Sequence, residues 1–168
     1  MAIFLVSILN NVAFSADRWN QKQLNQLGRA LSNNDISYFK KLLASGMDIN
    51  FNKISGGSTL LHNASRRVKP DIVRFLLEKG ANHAIVTNTG ETPLHSAVRG
   101  GSLEICKLLV EKGADIYAKN SYKETPVSLA LSHKKNNLPL FLIEKSTPKQ
   151  IKNNPEILLL LKDEEVAS

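Results

Sequence analysis

Thr59, Thr92 and Thr125 stand 33 residues apart, and Gly80 and Gly113 keep the same step. A fixed period of this length means that one supersecondary unit is copied along the chain. Such a unit buries its apolar face against its neighbours and builds a solenoid. Residues 92–118 show the unit in full. Thr92 stands where a helix needs an N-cap, because its hydroxyl can accept from an otherwise unpaired backbone N–H. Pro93 follows at the first helical position, where a missing N–H costs nothing. Leu94 and Ala97 are apolar or small on one face, and Gly100 and Gly101 break the helix. A second helix carries Leu103, Ile105, Cys106, Leu108, Leu109 and Val110. Gly113 ends it, as a residue that takes a left-handed cap at little cost.

The motifs TPLHSA at 92–97 and LLVEKGAD at 108–115 resemble the ankyrin repeat, and TLLHNA at 59–64 with LLEKGAN at 76–82 is a second copy. The resemblance runs from about Leu24 to Lys145. It implies an all-α solenoid of about four helix-turn-helix repeats joined by β-turn loops, plus a C-terminal capping helix. The repeats fall at approximately 20–50, 51–83, 84–116 and 117–146, with the cap at 147–168 and the whole domain at 16–168. It also implies that Thr59, His62, Gly80, Thr92, Pro93, Leu94, His95, Gly113, Thr125 and Pro126 are structural. His62 and His95 fill the same slot in successive repeats, where the family's ring ties neighbouring loops by hydrogen bonds.

Residues 1–15 lie outside the repeats. Ile3 to Leu9 is an apolar run with one serine, and Ala13-Phe14-Ser15 is a small-x-small site. This reads as a secretory signal peptide cleaved after Ser15, although no Lys or Arg precedes the run. The alternative is a buried N-terminal helix. The run is too short to span a bilayer, and the absence of a later cysteine near the site argues against a lipid anchor. The expected product is exported and carries no membrane insertion after cleavage.

Residues 17–50 read as a divergent first repeat. Leu24, Leu27 and Leu31 have helical spacing. Asn34 and Asp35 can cap a helix carrying Ile36, Phe39, Leu42 and Leu43. One residue is inserted around Ser55-Gly56-Gly57, as a longer turn or as a partner-contacting finger. Val68 replaces the usual glycine between helices, and Pro70 starts the next helix. In the fourth repeat Ser128 replaces the usual histidine, and Pro139 falls early in the second helix. Asn154-Pro155-Glu156 can cap a short apolar helix over 157–161, apolar on nearly every side, that closes the open end of the stack. Residues 163–168 read as a loose tail.

No metalloprotease, nucleophile-elbow, phosphate-loop or Cys-x-x-Cys pattern occurs in the chain. No catalytic set, metal or cofactor is expected. His83 and His133 are isolated. The one cysteine, Cys106, falls on an apolar helix face and reads as a small core residue. The net charge is +7 and the aromatic content 6%. The excess of positive charge is a solvated lysine-rich surface or the complement of an acidic protein. Nucleic acid is not expected, because no recognition motif for it is present.

The working surface is therefore expected to bind. The phase of the repeats places Arg66, Arg67, Arg99, Ser132 and His133 on the exposed side of the first helices. It places Ser55, Ser58, Val86, Asn88, Thr89, Glu91, Lys119, Ser121, Tyr122 and Glu124 on the loops. Arg66, Arg67 and Arg99 would form a cluster able to pair with carboxylates, and Tyr122 would be an aromatic anchor. The resemblance and the leader together imply a periplasmic, or otherwise secreted, protein-binding module that is monomeric when unbound. Two roles fit: an immunity protein that plugs a toxic effector enzyme, and an accessory factor for a periplasmic enzyme such as a catalase. A secreted effector that binds a host protein is a third.

Overall fold

The 33-residue step becomes a stack of helix pairs in a computed structural model, which describes residues 21–52, 54–133, 137–153, 155 and 157–158. The first pair is α1 (Gln21–Ser32) and α2 (Ile36–Ala44). The second is α3 (Leu60–Arg66) and α4 (Pro70–Glu78), and the third is α5 (Pro93–Gly100) and α6 (Leu103–Glu111). The fourth is α7 (Pro126–His133) and α8 (Leu138–Glu144), followed by a one-turn α9 (Pro148–Lys152). Helix α3 packs on α5 and α5 on α7, while α2 packs on α4 and α4 on α6. First helices thus form one layer and second helices another. The leader expected at 1–15 and the tail at 163–168 lie outside the described residues. No helix among the described residues is long and apolar enough to cross a membrane.

The layers meet in one continuous apolar core. Phe39, Ile72, Ile105 and Leu138 recur at the period and are at most 1% exposed. So do Leu76, Leu109 and Leu142, one turn further along each helix. On the facing layer Leu61, Leu94 and Val127 line up in the same way. The inner copies Ile72, Leu94, Ile105 and Leu109 each have the same position occupied in the pair on either side. Truncating one to alanine removes contacts on both sides, a loss of about 2–5 kcal/mol.

Helix ends follow local chemistry. The side chains of Asp35, Thr59, Thr92 and Ser102 each accept a backbone N–H of the helix that follows. Gly46, Gly80 and Gly113 have φ of 89°, 87° and 91° and close the second helices. The turns between the paired helices need a left-handed residue too. Asn34, Val68 and Gly101 supply it, with φ of 53°, 55° and 76°. The turn at Val68 therefore keeps the geometry of its neighbours on a β-branched residue, a strained choice. Pro70 and Pro139 both fall in the first turn of their helices.

Two expectations change. Gly100 does not break α5 but is its last residue; Gly101 alone makes the left-handed cap. A Cβ on Gly100 would meet the Arg66 carbonyl oxygen at 2.9 Å and that of Ser65 at 3.1 Å. Its smallness serves the close approach of α5 to α3. At the C-terminus, α9 precedes the expected capping helix. Thr147 and Gln150 form a reciprocal capping box there, a pattern written in the sequence as Thr-Pro-Lys-Gln. Beyond it Ile157 is fully buried, but Leu158 is 39% exposed, so the segment is not covered on every side. Residues 159–161 lie outside the described residues.

Candidate protein-binding surface

Main-chain hydrogen bonds join the inter-repeat loops to one another. The N–H of Asn88 donates to the Gly56 carbonyl at 2.9 Å, and the N–H of Ser121 donates to that of Thr89 at 2.9 Å. Donors and acceptors are each one period apart, so the same bond is made twice. Gly57 permits the first approach, because a Cβ there would overlap the Asn88 side chain. The inserted residue is absorbed in a 3₁₀ turn at Ser55–Gly57, next to a buried Ile54. The longer first loop is thereby held against the second.

Beneath the tips, two histidines, one per loop, pin the loops that end at Glu91 and Glu124 to the first helix of the preceding repeat. The Thr59 N–H donates to Nδ1 of His62 at 3.2 Å, and Nε2 of His62 lies 2.9 Å from the Glu91 carbonyl oxygen. Thr92, His95 and Glu124 repeat the arrangement at 3.2 Å and 3.2 Å. A backbone N–H can only donate, so Nδ1 accepts and Nε2–H donates to the loop carbonyl. Both rings are neutral, and burial holds both pKa values below the ordinary histidine value. At the third copy of the slot Ser128 is too short to reach beyond its own repeat. Its hydroxyl donates to the Thr125 carbonyl at 3.1 Å and accepts from the Thr125 N–H at 2.9 Å.

The expected arginine cluster divides. Arg99 donates from Nε to Glu91 at 2.8 Å and from Nη2 to Glu124 at 2.9 Å, clamping two successive loops. The Glu91 side chain is only 14% exposed. Arg99 and Glu91 are therefore spent on each other and are not free for a partner as they stand. Asn120 holds the Glu124 carboxyl below the usual carboxylate range through a side-chain hydrogen bond, with Arg99 adding to the effect. Asn120 is buried and its Oδ1 also accepts the N–H groups of Tyr122 and Glu124. Sequence reasoning missed it, although an Asn opening a tight turn is a recognisable signal.

Arg66 and Arg67 are exposed at the end of α3, and neither is in an ion pair among the described residues. Ser132 and His133 are exposed at the end of α7, and Asn88, Thr89, Lys119 and Ser121 are exposed on the loops. Ser58 is half-buried. Two apolar groups face solvent on adjoining loops: Tyr122 is 68% exposed and Val86 is 48% exposed. Buried Cys106 is fully enclosed, and burial pushes its thiol up to about 12, so the thiolate needed for reaction is suppressed. Among the described residues no three His, Cys, Asp or Glu side chains gather in a way that could hold a metal ion.

The repeated loop–helix–helix units, pinned by Thr and His at a fixed step, match the family model for ankyrin repeats (3 copies) over residues 27–120, more than half of the chain. The chain belongs to the ankyrin repeat family. Its match stops before the fourth helix pair, where Ser128 replaces the histidine. The chain is also similar to the human 2-5A-dependent ribonuclease, 37% identical over 62 residues, which are 37% of this chain and 8% of that protein. Ankyrin repeat domain-containing protein 40 of mouse and of human is 36% identical over 70 residues, 42% of this chain and 19% of each relative. The chain thus spans less than a fifth of these relatives' lengths. Ankyrin repeats are protein–protein interaction modules, and the surface above is that of such a module.

Proposed function

We propose that this ankyrin repeat protein is an exported, monomeric, non-catalytic binder that acts as an immunity protein, occluding a toxic effector enzyme with an acidic surface. The observation that carries the reading is the row of mutually bonded loops that holds Tyr122 and Val86 out to solvent beside Lys119. A surface already rigid before binding loses little conformational freedom on association, and exposed tyrosines are frequent anchors. The net charge of +7 favours a partner of opposite sign. The apolar run and small-x-small site at 1–15 support export to the periplasm.

The test is capture from periplasmic extract with the full chain, followed by assay of the captured protein. An enzyme whose activity is abolished by a stoichiometric amount of this chain is the expected result. Capture of a catalase or another enzyme whose activity is unimpaired would move the role to that of an accessory factor. Capture only from host-cell extract would move it to an effector. Recovery of the chain from the cytosol with Met1 still in place would end the export reading.

A further inference from the structure

The last inter-repeat loop and α9 enclose an open cleft of about 450 Å³, lined by residues that include Lys119, Lys123, Ser128, Gln150 and Asn153. Its origin is local. In the two preceding repeats a histidine spans from the helix to the next loop. Ser128 occupies the third copy of that slot, and its hydroxyl turns back to its own repeat. No imidazole crosses the gap, and Ser128 becomes part of the wall.

The wall has a one-sided chemistry. The Tyr117 hydroxyl donates to Ser146 Oγ at 2.7 Å, so its proton is already used. The Ser128 proton goes to the Thr125 carbonyl. The Gln150 carbonyl oxygen takes both the N–H and the hydroxyl of Thr147, at 2.8 Å and 2.9 Å. What these bonds leave is mainly donors: two ammonium groups from Lys119 and Lys123 and the carboxamide N–H groups of Gln150 and Asn153. Among the described residues neither lysine is in an ion pair, and no carboxylate is among those that line the cleft. An ionised carboxylate accepts only, and so complements such a wall.

We infer that this cleft is the subsite that receives an aspartate or glutamate side chain of the protein partner. The inference rests on the protein-binding reading above and adds the place and chemistry of one contact. Lys119 and Lys123 supply the charge, and the carboxamides of Gln150 and Asn153 orient the group. The Ser128 substitution, a departure from the repeat pattern, provides the room.

The experiment titrates an isotope-labelled full chain with hexaglutamate and, in parallel, with hexaglutamine at low salt. Amide shifts confined to Lys119, Lys123, Ser128, Gln150 and Asn153 with hexaglutamate alone are expected. Lys119→Gln/Lys123→Gln should weaken that binding about tenfold or more, the effect of about 1.4 kcal/mol. Lys40→Gln/Lys41→Gln, which removes the same charge from the exposed side of α2, should leave it unchanged. Lys119 and Lys123 are exposed, so an unaltered thermal midpoint shows that their variant is folded. Absence of shifts, equal shifts with hexaglutamine, or wild-type affinity in the Lys119/Lys123 variant would overturn the inference. A captured partner that binds the Lys119/Lys123 variant as tightly as wild type overturns the cleft and leaves protein binding standing. Hexaglutamate seated in the cleft with no partner captured does the reverse.

Discussion

Nε2 of His62 stands 2.9 Å from the main-chain oxygen of Glu91, a residue 29 positions further along the chain. The bond exists only while the ring is buried and neutral, because Nδ1 must accept from the cap N–H of Thr59. His95 repeats the relation with Glu124. The solenoid is therefore held, at two of its joints, by imidazoles that burial keeps in the neutral form.

This makes stability fall with acidity. In the unfolded chain both rings take up a proton near pH 6.5, while burial lowers the folded values. The contribution is complete above pH 6.5 and is lost as pH falls toward the folded pKa values. Each ring changes the unfolding free energy by at most about 1.4 kcal/mol per pH unit. Urea unfolding should show a less stable protein at pH 5.5 than at pH 7.5, with a smaller drop in His62→Gln. Equal stability at the two pH values would contradict the arrangement.

Arg99 joins two loops through two carboxylates, one of them mostly buried. Arg99→Met should cost about 1–2 kcal/mol, more than an exposed ion pair, because it strands Glu91. Adding Glu91→Gln should recover part of the loss. A double-mutant cycle reads the coupling directly, and a coupling of zero would count against the clamp.

Alanine normally stabilises a helix relative to glycine by about 1 kcal/mol. At Gly100 the sign should reverse. The added methyl would press on the backbone oxygens of Arg66 and Ser65, which cannot rotate away. Thermal unfolding of Gly100→Ala should show a net loss of about 1–3 kcal/mol. A gain in stability would mean that α3 and α5 are further apart than the structure places them.

Val68 holds a left-handed backbone at φ 55° while 42% exposed, so little packing offsets the strain. The equivalent turns use Asn34 and Gly101. Val68→Asn should therefore stabilise the protein by about 1 kcal/mol, measured by urea unfolding. A loss of stability would show that the valine side chain contributes packing that outweighs its backbone cost.

The fold was legible because its causes are local and repeated. A Thr-Pro start, a glycine end and an apolar step of 33 residues each act within one unit, and Phe39, Ile72, Ile105 and Leu138 needed only the period to be placed together. Helix α9 was legible in principle, since Thr147 and Gln150 are a capping box in the sequence itself. The site was less so. Arg66, Arg67 and Arg99 look alike in the sequence, yet Arg99 alone has carboxylates of two loops within reach. No spacing rule shows which arginine is satisfied, because the partners come from different repeats.

The order of caps, apolar faces and breakers along 168 residues was thus enough to specify stacked helix pairs, since each such signal acts over a few neighbouring residues. Tertiary structure alone decided which polar groups are spent and which face outward. Burial of Asn120, the Arg99 clamp and the cleft beside Ser128 all arise where one repeat meets the next. Hydrogen bonds and charges are satisfied by whatever lies nearest in space, and across a joint of the solenoid that is a residue about thirty positions away.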